Sequence, residues 1–289
     1  MSVHNDLGNR MKTNYEQIPK IKLMRRCPVI VRLDGKSFHS FAKGFKKPFD
    51  EVLIKSMQGT MKYLCENTQG CVLGYVQSDE ISLLLIDYKK LESQAFFDYE
   101  VQKICSVTAS MATMAFNKIF SRNLIDFHPD VTFYDGEDPS EYDCAEKFGF
   151  DARTSEGLAE LRKYCEVYDR AIEKGAMFDS RCFNIPESDV ANYFLWRQLD
   201  ATRNSIQMVG QANFSHKELQ GKSCSAIQDM LHEQRGINWN DFPVHKKRGS
   251  CCIKVNEEVD GVIRSKWIVD ENIPIFKGDG RNYIEGLLL

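Results

Sequence analysis

The chain has 289 residues, of which 43% are hydrophobic, and a formal net charge of -3. This length and apolar content are enough for a substantial buried core, which argues against a disordered chain. The sequence contains no charged-then-apolar leader with a cleavage signal and no apolar run of about 18 residues, so we expect a cytoplasmic protein with no membrane contact.

The ten cysteines are scattered along the chain and include no Cys-x-x-Cys pair. This distribution indicates neither a disulfide framework nor a zinc site. We predict mostly buried thiols, and we assign the adjacent Cys251 and Cys252 to strand packing rather than to redox chemistry.

Charge is distributed unevenly along the chain. Residues 130–175 contain 13 Asp and Glu against 6 Lys and Arg, a net charge of -7, which leaves +4 for the remainder. We interpret 130–175 as an acidic insertion within a catalytic domain over 1–215, followed by a C-terminal extension over 216–289. The basic remainder, with segments 43–47 and 245–248, is compatible with a nucleic-acid partner.

Two strand patterns end in carboxylates. The first strand covers 29–33 and leads into Asp34 and Gly35. The second and third strands form a hairpin over 72–86, where two apolar runs meet at a polar Ser-Asp-Glu tip. The tip is too short for any connection except a hairpin turn.

Helical patterns lie between and after these strands. Pro48 and Asp50 are typical of a helix start, and apolar residues at three-to-four spacing extend this helix to about Asn67. Further patterns predict helices over 94–122, 158–174, 188–213 and 215–234, and a fourth strand over 176–184. The rest of the C-terminal extension is predicted to form short strands and loops.

The helix predicted over 188–213 carries an unusual density of polar residues beside Trp196. They are Arg197, Gln198, Asp200, Arg203 and Asn204. A position on the protein surface accounts for most of them, and a groove that faces RNA would require the same set.

The βαββαβ order predicts an α+β fold with a ferredoxin-like antiparallel sheet and helices on one face. In this topology the first and third strands are adjacent, and the first and second run parallel. The end of the first strand and the hairpin tip therefore lie at the same edge of the sheet, where neighbouring strands are about 4.8 Å apart. Asp34 and Asp79 are thus predicted to be close enough to share metal ions.

Two aspartates at one sheet edge, with no histidines at metal-ligand spacing, are typical of Mg²⁺ sites. Two Mg²⁺ ions would support phosphoryl transfer by activating an attacking hydroxyl and neutralising the departing pyrophosphate. Either aspartate alone is better explained as a turn residue, but their predicted meeting favours a metal site. We expect Glu80 to support this site rather than to bind metal directly.

The residues after Asp34 have two interpretations each. Gly35 either ends the strand or allows a close backbone approach and offers its carbonyl to a metal. Lys36, Ser37 and His39 are either ordinary loop residues or donors to nucleotide phosphates. The sequence has no serine-hydrolase elbow and no P-loop motif, so neither of those classes is indicated.

Five segments resemble the tRNAHis guanylyltransferases and their relatives, which polymerise in the 3′-to-5′ direction. They are Arg32-Leu-Asp34-Gly35-Lys-Ser-Phe38-His39, Lys47-Pro48-Phe-Asp50, Gln77-Ser78-Asp79-Glu80, Phe178-Asp-Ser-Arg181 and Asn192-Tyr-Phe-Leu-Trp196-Arg197-Gln198-Leu-Asp200. Together they extend over about 29–205, apart from the insertion.

The resemblance implies a polymerase-palm-like fold and a nucleotidyltransferase that acts on the 5′ end of tRNA, with GTP and ATP as substrates and two Mg²⁺ ions. The metal ligands would be Asp34, the Gly35 carbonyl and Asp79. Nucleotide contacts would come from Asp34, Gly35, Lys36, Ser37, Phe38, His39, Ser78 and Asp79, and the catalytic residues would be Asp34, Asp79, Glu80 and Lys47, with Lys47 on a triphosphate. Family members usually assemble as tetramers, so a homotetramer is expected.

One segment departs from the family pattern. The guanylyltransferases proper carry His-Ile-Asn-Asn where this chain has Thr202-Arg203-Asn204-Ser205. The chain therefore resembles the guanylyltransferase-like branch, which repairs 5′-truncated tRNAs by template-dependent addition, with GTP favoured. The alternatives are addition of G at position -1 of tRNAHis, a palm-type nucleotide cyclase, and a catalytically silent RNA-binding module.

Overall fold

Strands and helices are interspersed along the chain. The structure is a computed structural model and describes residues 3–127, 154–259 and 261–288. Its strands are β1 (Val29–Gly35), β2 (Cys71–Gln77), β3 (Glu80–Leu85), β4 (Phe178–Asn184), β5 (Ser250–Val259) and β6 (Val262–Asp270). Its helices are α1 (Val3–Met11), α2 (Phe38–Phe41), α3 (Glu51–Asn67), α4 (Val101–Phe127), α5 (Ser155–Lys174), α6 (Glu187–Asn213), α7 (His216–Leu219), α8 (Cys224–Arg235), α9 (Val244–Arg248) and α10 (Asn282–Glu285). None of these helices is both long enough and apolar enough to span a membrane.

The strands of the described ranges form one antiparallel sheet in the order β4-β1-β3-β2-β5-β6. The predicted adjacency of the first and third strands is confirmed, and so is the α+β fold class. β5 and β6 extend the sheet beyond β2, where the sequence predicted only short strands and loops. Cys251 and Cys252 are fully buried in β5, in agreement with their predicted packing role.

Both faces of the sheet are covered. One face, which includes Leu33, packs against α3 and α4. On the opposite face, Ile30 and Tyr75 pack against Phe194 of α6 and against residues of the C-terminal segment 273–288. The prediction placed helices on one face only. The second layer forms because α6 has an apolar stripe that matches the apolar side chains on the other side of β1 and β2.

Two predicted helices have different bounds in the structure. α4 begins later than predicted, at Val101, because Phe97 and the two residues after it adopt left-handed backbone conformations that interrupt a helix. The helix predicted over 215–234 is divided into α7 and α8. The division occurs at Gly221, whose φ of 74° lies in the left-handed region, and Ser223 then caps α8.

The described part of the predicted acidic insertion is a core helix. The acidic residues between 135 and 143 lie outside the described residues. α5 begins after Thr154, whose hydroxyl accepts a hydrogen bond from the Gly157 N–H at 3.0 Å. Tyr168 and Ala171 are buried in the same cluster as α3 and α4. This part of the insertion is therefore packed into the protein.

Phe194 allows a test of the second layer. Because Phe194 is fully buried between α6 and the sheet, Phe194→Ala should lower the free energy of unfolding by about 3–5 kcal/mol. The control is Leu199→Ala on the same helix, where the side chain is 59% exposed and the expected change is within about 0.5 kcal/mol. Urea unfolding measures both. Equal effects of the two substitutions would contradict the packing described here.

Candidate active site

Asp34 and Asp79 lie together at one end of the sheet. Asp34 pairs with Glu80 in the register of β1 and β3, and the Gly35 N–H donates to the Asp79 carbonyl oxygen at 3.1 Å. Ser78 adopts a φ of 51°, as tight hairpin turns require, and its hydroxyl donates to the Asp79 carboxylate at 3.1 Å. The fold thus brings together two aspartates from separate parts of the sequence.

The electrostatics of this pair favour a bound cation. Burial raises the pKa of Asp79 above its ordinary value, and the charge of Asp34 raises that pKa further. The hydrogen bond from Ser78 and the electrostatic effect of the nearby His39 lower the same pKa. A cation between the carboxylates would offset both their repulsion and the cost of burial.

The donor set suits Mg²⁺ held jointly with a nucleotide. Within residues 3–127, 154–259 and 261–288, no three or more side chains of His, Cys, Asp or Glu are clustered so that they could hold a metal ion by themselves. The protein offers the carboxylates of Asp34 and Asp79 and the Gly35 carbonyl, so phosphate or water oxygens would complete the shell, as is usual for Mg²⁺. Only glycine fits at position 35, because a Cβ atom there would lie 2.2 Å from a Phe38 ring carbon.

A cleft of about 520 Å³ opens beside this pair. Its lining includes Lys47, which was predicted to contact a triphosphate. It also includes six of the predicted nucleotide contacts, which are Gly35, Ser37, Phe38, His39, Ser78 and Asp79. Asp34 and Lys36 are not among its lining residues. Phosphate-binding residue types therefore converge on one surface next to the paired aspartates.

Phe38 lines the cleft but is largely buried. It is 5% exposed, and its ring packs against Phe41, Phe116 and Phe178 at centroid distances of 5.0–5.5 Å. Its ring therefore forms the floor of the cleft and offers no free face for stacking on a base.

Glu80 is engaged in a buried ion pair. The Arg197 guanidinium donates to both Glu80 carboxylate oxygens, at 2.6 and 2.7 Å, and to Asp200 at 3.0 Å. Burial raises the pKa of the Glu80 carboxyl, and the bidentate Arg197 contact opposes that rise. This pair connects the hairpin tip to α6.

The polar face of α6 is more buried than predicted. Arg197 is 6% exposed and Gln198 is 2% exposed. The Gln198 amide donates to the Pro274 carbonyl oxygen at 2.8 Å and accepts from the Phe276 N–H at 3.0 Å. A surface position is therefore the wrong interpretation for these two residues, because each satisfies a specific buried partner.

Arg32 and Trp196 were not assigned a role from the sequence, although Arg32 interrupts an apolar strand two residues before Asp34. Trp196 is 53% exposed, and the guanidinium carbons of Arg32 and Arg197 lie 5.9 and 4.5 Å from the ring centroid. Nε of Arg32 is buried with no hydrogen-bond partner in the parts of the chain that the structure describes. Residues of one face alternate along a strand, so Arg32 shares the face of Asp34.

The basic segment 245–248 is largely engaged in internal contacts. Lys247 is buried and donates to a backbone carbonyl oxygen, and Lys246 forms an ion pair with Glu51. These two lysines therefore have partners within the protein, and the contact of this segment with a nucleic acid stays a prediction. The segment 43–47, in contrast, contributes Lys46 and Lys47 to the cleft lining.

Comparisons with known proteins agree on one family. A family model described as tRNAHis guanylyltransferase matches residues 8–186. The chain is 40% identical to a bacterial tRNA(His) guanylyltransferase-like protein in a structure with ATP, covering 98% of this chain and 99% of that chain with a TM-score of 0.74. For a structure of such a protein with GTP, the identity is 39% and the TM-score 0.70, over 98% of this chain and 99% of that one. The tRNA(His) guanylyltransferase of Candida glabrata is 24% identical over 83% of this chain and 89% of its own length.

The Glu80–Arg197 pair generates a double-variant test. Arg197→Met leaves the buried Glu80 carboxylate without its partner and should lower the free energy of unfolding by about 3–5 kcal/mol, whereas Glu80→Gln should cost less because Arg197 keeps its contact with Asp200. The double variant leaves no unpaired charge at these two positions. Its free energy of unfolding should therefore fall by clearly less than the sum of the decreases in the two single variants. Lys222→Met, at an exposed position outside this network, is the control. Additive losses in chemical denaturation would show that the two residues do not act as a pair.

Proposed function

We propose, on the premise that this chain belongs to the tRNAHis guanylyltransferase family and is a nucleotidyltransferase, that it adds nucleotides to the 5′ end of tRNA in the 3′-to-5′ direction. The proposed substrate is a tRNA truncated at its 5′ end, and the opposing strand serves as the template. One observation carries the proposal, which is the meeting of Asp34 and Asp79 beside the 520 Å³ cleft. The bacterial relatives whose structures contain ATP and GTP support these nucleotides as substrates.

Mg²⁺ is the proposed metal, and Asp34, the Gly35 carbonyl and Asp79 are the proposed ligands. When bound, it would neutralise phosphate charge and lower the pKa of an attacking hydroxyl. Strand pairing sets the backbone position of Asp34, and a serine hydrogen bond orients the Asp79 carboxylate. A metal site that is preorganised in this way requires little rearrangement when the nucleotide arrives.

The residues around the cleft have separate proposed roles. The hydroxyl of Ser37 can donate a hydrogen bond to a phosphate oxygen, and Lys47 supplies positive charge for a triphosphate. Glu80 does not carry out proton transfer in this account, because both of its oxygens accept hydrogen bonds from Arg197. Its role is to hold the hairpin tip, and with it Asp79, against α6.

The segment of α6 that differs from the guanylyltransferases proper supports template dependence. The Thr202 hydroxyl donates to a carbonyl oxygen of its own helix at 2.9 Å, Arg203 pairs with Asp200, and the Ser205 hydroxyl accepts from Trp239 at 3.0 Å. Thr202 and Ser205 are therefore engaged within the protein, whereas the exposed Arg203 pairs with Asp200 of its own helix. Base pairing with the opposing strand is then the proposed source of nucleotide choice.

The proposed assembly is a homotetramer. Large apolar side chains of the N-terminal segment, Leu7, Met11, Tyr15 and Ile18, are between 43% and 74% exposed, and such surfaces are typical of contacts with another chain. Multi-angle light scattering should give four times the 33.3 kDa mass of the chain. The mass of a single chain, at micromolar concentration, would contradict the proposal.

Asp34→Ala and Asp79→Ala should each reduce nucleotide addition by roughly a thousandfold, because each removes a ligand of the ion that stabilises transition-state charge. Both residues lie at the partly exposed end of the sheet, so the circular dichroism spectrum should be retained. Asp229→Ala, at an exposed position on α8, is the control and should leave the rate unchanged. Rates close to that of the unaltered protein in either site variant, at saturating Mg²⁺, would contradict the metal assignment.

The template proposal is tested with tRNAs that lack their first nucleotide and differ only in the base opposite the gap. Rates are measured for each of the four nucleoside triphosphates on each tRNA, with Mg²⁺. The complementary nucleotide should be added fastest, since a mispaired nucleotide misplaces the attacking hydroxyl, and a misplacement of about 1 Å can cost roughly a hundredfold. Addition of G regardless of the opposing base, and only to tRNAHis, would instead identify a tRNAHis guanylyltransferase. A cyclic product from GTP alone would identify a cyclase.

A further inference from the structure

Helix α5 packs against the cleft loop, residues 43–50, which provides Lys46 and Lys47 to the cleft. The Arg170 guanidinium donates to the Lys43 carbonyl oxygen at 3.0 Å. The rings of Tyr168 and Phe45 are stacked, with centroids 4.6 Å apart and an interplanar angle of 13°. These contacts join the start and the middle of the loop to the last turns of α5.

A third contact reaches the end of the loop through Asp50. The Tyr168 hydroxyl donates to one carboxylate oxygen of Asp50. The same oxygen accepts from the Lys46 N–H at 3.0 Å, and the other accepts from the Leu53 N–H at 2.9 Å. Asp50 therefore fixes the loop backbone and caps α3 at the same time.

The chemistry of this group is consistent with a fixed structure. Tyr168 is fully buried and Asp50 is 5% exposed, so an Asp50 carboxylate left without donors would be costly. Burial, and then the charge of Asp50, raise the pKa of the Tyr168 phenol, so the hydroxyl keeps its proton and donates. The Tyr164 hydroxyl lies 2.8 Å from that of Tyr168 and extends the network along α5.

Gly44 adds a close steric contact. Its φ of 96° lies in the left-handed region, and a Cβ atom at this position would lie 3.1 Å from two side-chain carbons of Val167. The loop backbone and α5 are therefore packed with no room for a side chain between them. Glycine tolerates this left-handed backbone conformation and, because it has no side chain, allows the loop backbone to lie this close to α5.

We propose that α5 is a positioning element for the nucleotide, in which Tyr168, acting through Asp50, holds the loop in the conformation that lines the cleft. This inference rests on the proposed function and assigns a role to the described helix of the acidic segment. A loop that is ordered before the nucleotide arrives does not have to be ordered by binding, so affinity increases without any new contact to the ligand. Tyr168 lies outside the reacting groups and affects nucleotide affinity rather than the chemical step.

The test uses Tyr168→Phe in the full chain, which keeps the ring stacked on Phe45 and removes only the hydroxyl. The dissociation constant for ATP with Mg²⁺ is measured by calorimetry without tRNA, and KM and kcat are measured with truncated tRNA. The dissociation constant and KM should rise about three- to tenfold. This range is expected because the variant loses one hydrogen bond to a charged group and only part of that lost energy affects ligand binding. The value of kcat should stay within about twofold.

Two further variants complete the experiment. Arg170→Gln, at an exposed position, removes the contact with Lys43 and should raise the dissociation constant in the same direction, even if Tyr168→Phe folds poorly. Tyr63→Phe on α3 lies outside this network and should change neither constant. Unchanged ATP affinity in both Tyr168→Phe and Arg170→Gln would overturn the proposal, as would a fall in kcat alone. ATP binding without addition to tRNA would overturn only the proposed function, whereas no ATP binding by the unaltered protein would overturn both.

Discussion

The antiparallel register between β1 and β3 is the constraint on which the site depends. It sets Asp34 opposite Glu80, and the next residue along the turn is Asp79. Because side chains alternate across a sheet, a slip of one residue would move Asp34 to the face that packs on α3 and α4. The register is held from both sides of β1, since β4 also pairs with it along its whole length. The apolar residues of β1 therefore fix the position of its single carboxylate.

The buried pair of Glu80 and Arg197 transmits this constraint to the second layer. Arg197 lies on α6, and its neighbour Gln198 holds the backbone of the C-terminal segment at Pro274 and Phe276. The hairpin tip, α6 and the C-terminal segment are thus joined by consecutive residues of one helix turn. The bidentate geometry restricts which partner Arg197 can accept at the hairpin tip.

The sequence predicted the parts of the fold that depend on local patterns. The apolar runs and the short polar tip were sufficient for β1 and the hairpin, and the βαββαβ order was sufficient for their adjacency. The burial of Arg197 was not predictable in this way, because its partner lies 117 residues away in sequence. The long strands β5 and β6 were missed since their outer residues, such as Lys254 and Glu257, are exposed and obscure the alternation. The packing of Tyr168 was hidden by the net charge of the segment around it.

Binding of Mn²⁺, a spectroscopic substitute for Mg²⁺, tests without turnover whether Asp34 and Asp79 jointly hold a divalent cation with a nucleotide. Electron paramagnetic resonance of free Mn²⁺ would be titrated with the protein and a non-hydrolysable ATP analogue. We expect the analogue to strengthen Mn²⁺ binding. Asp34→Asn and Asp79→Asn should each weaken it by at least about tenfold, since each removes one charged ligand. Equal Mn²⁺ binding by the unaltered protein and by both variants would contradict this metal assignment.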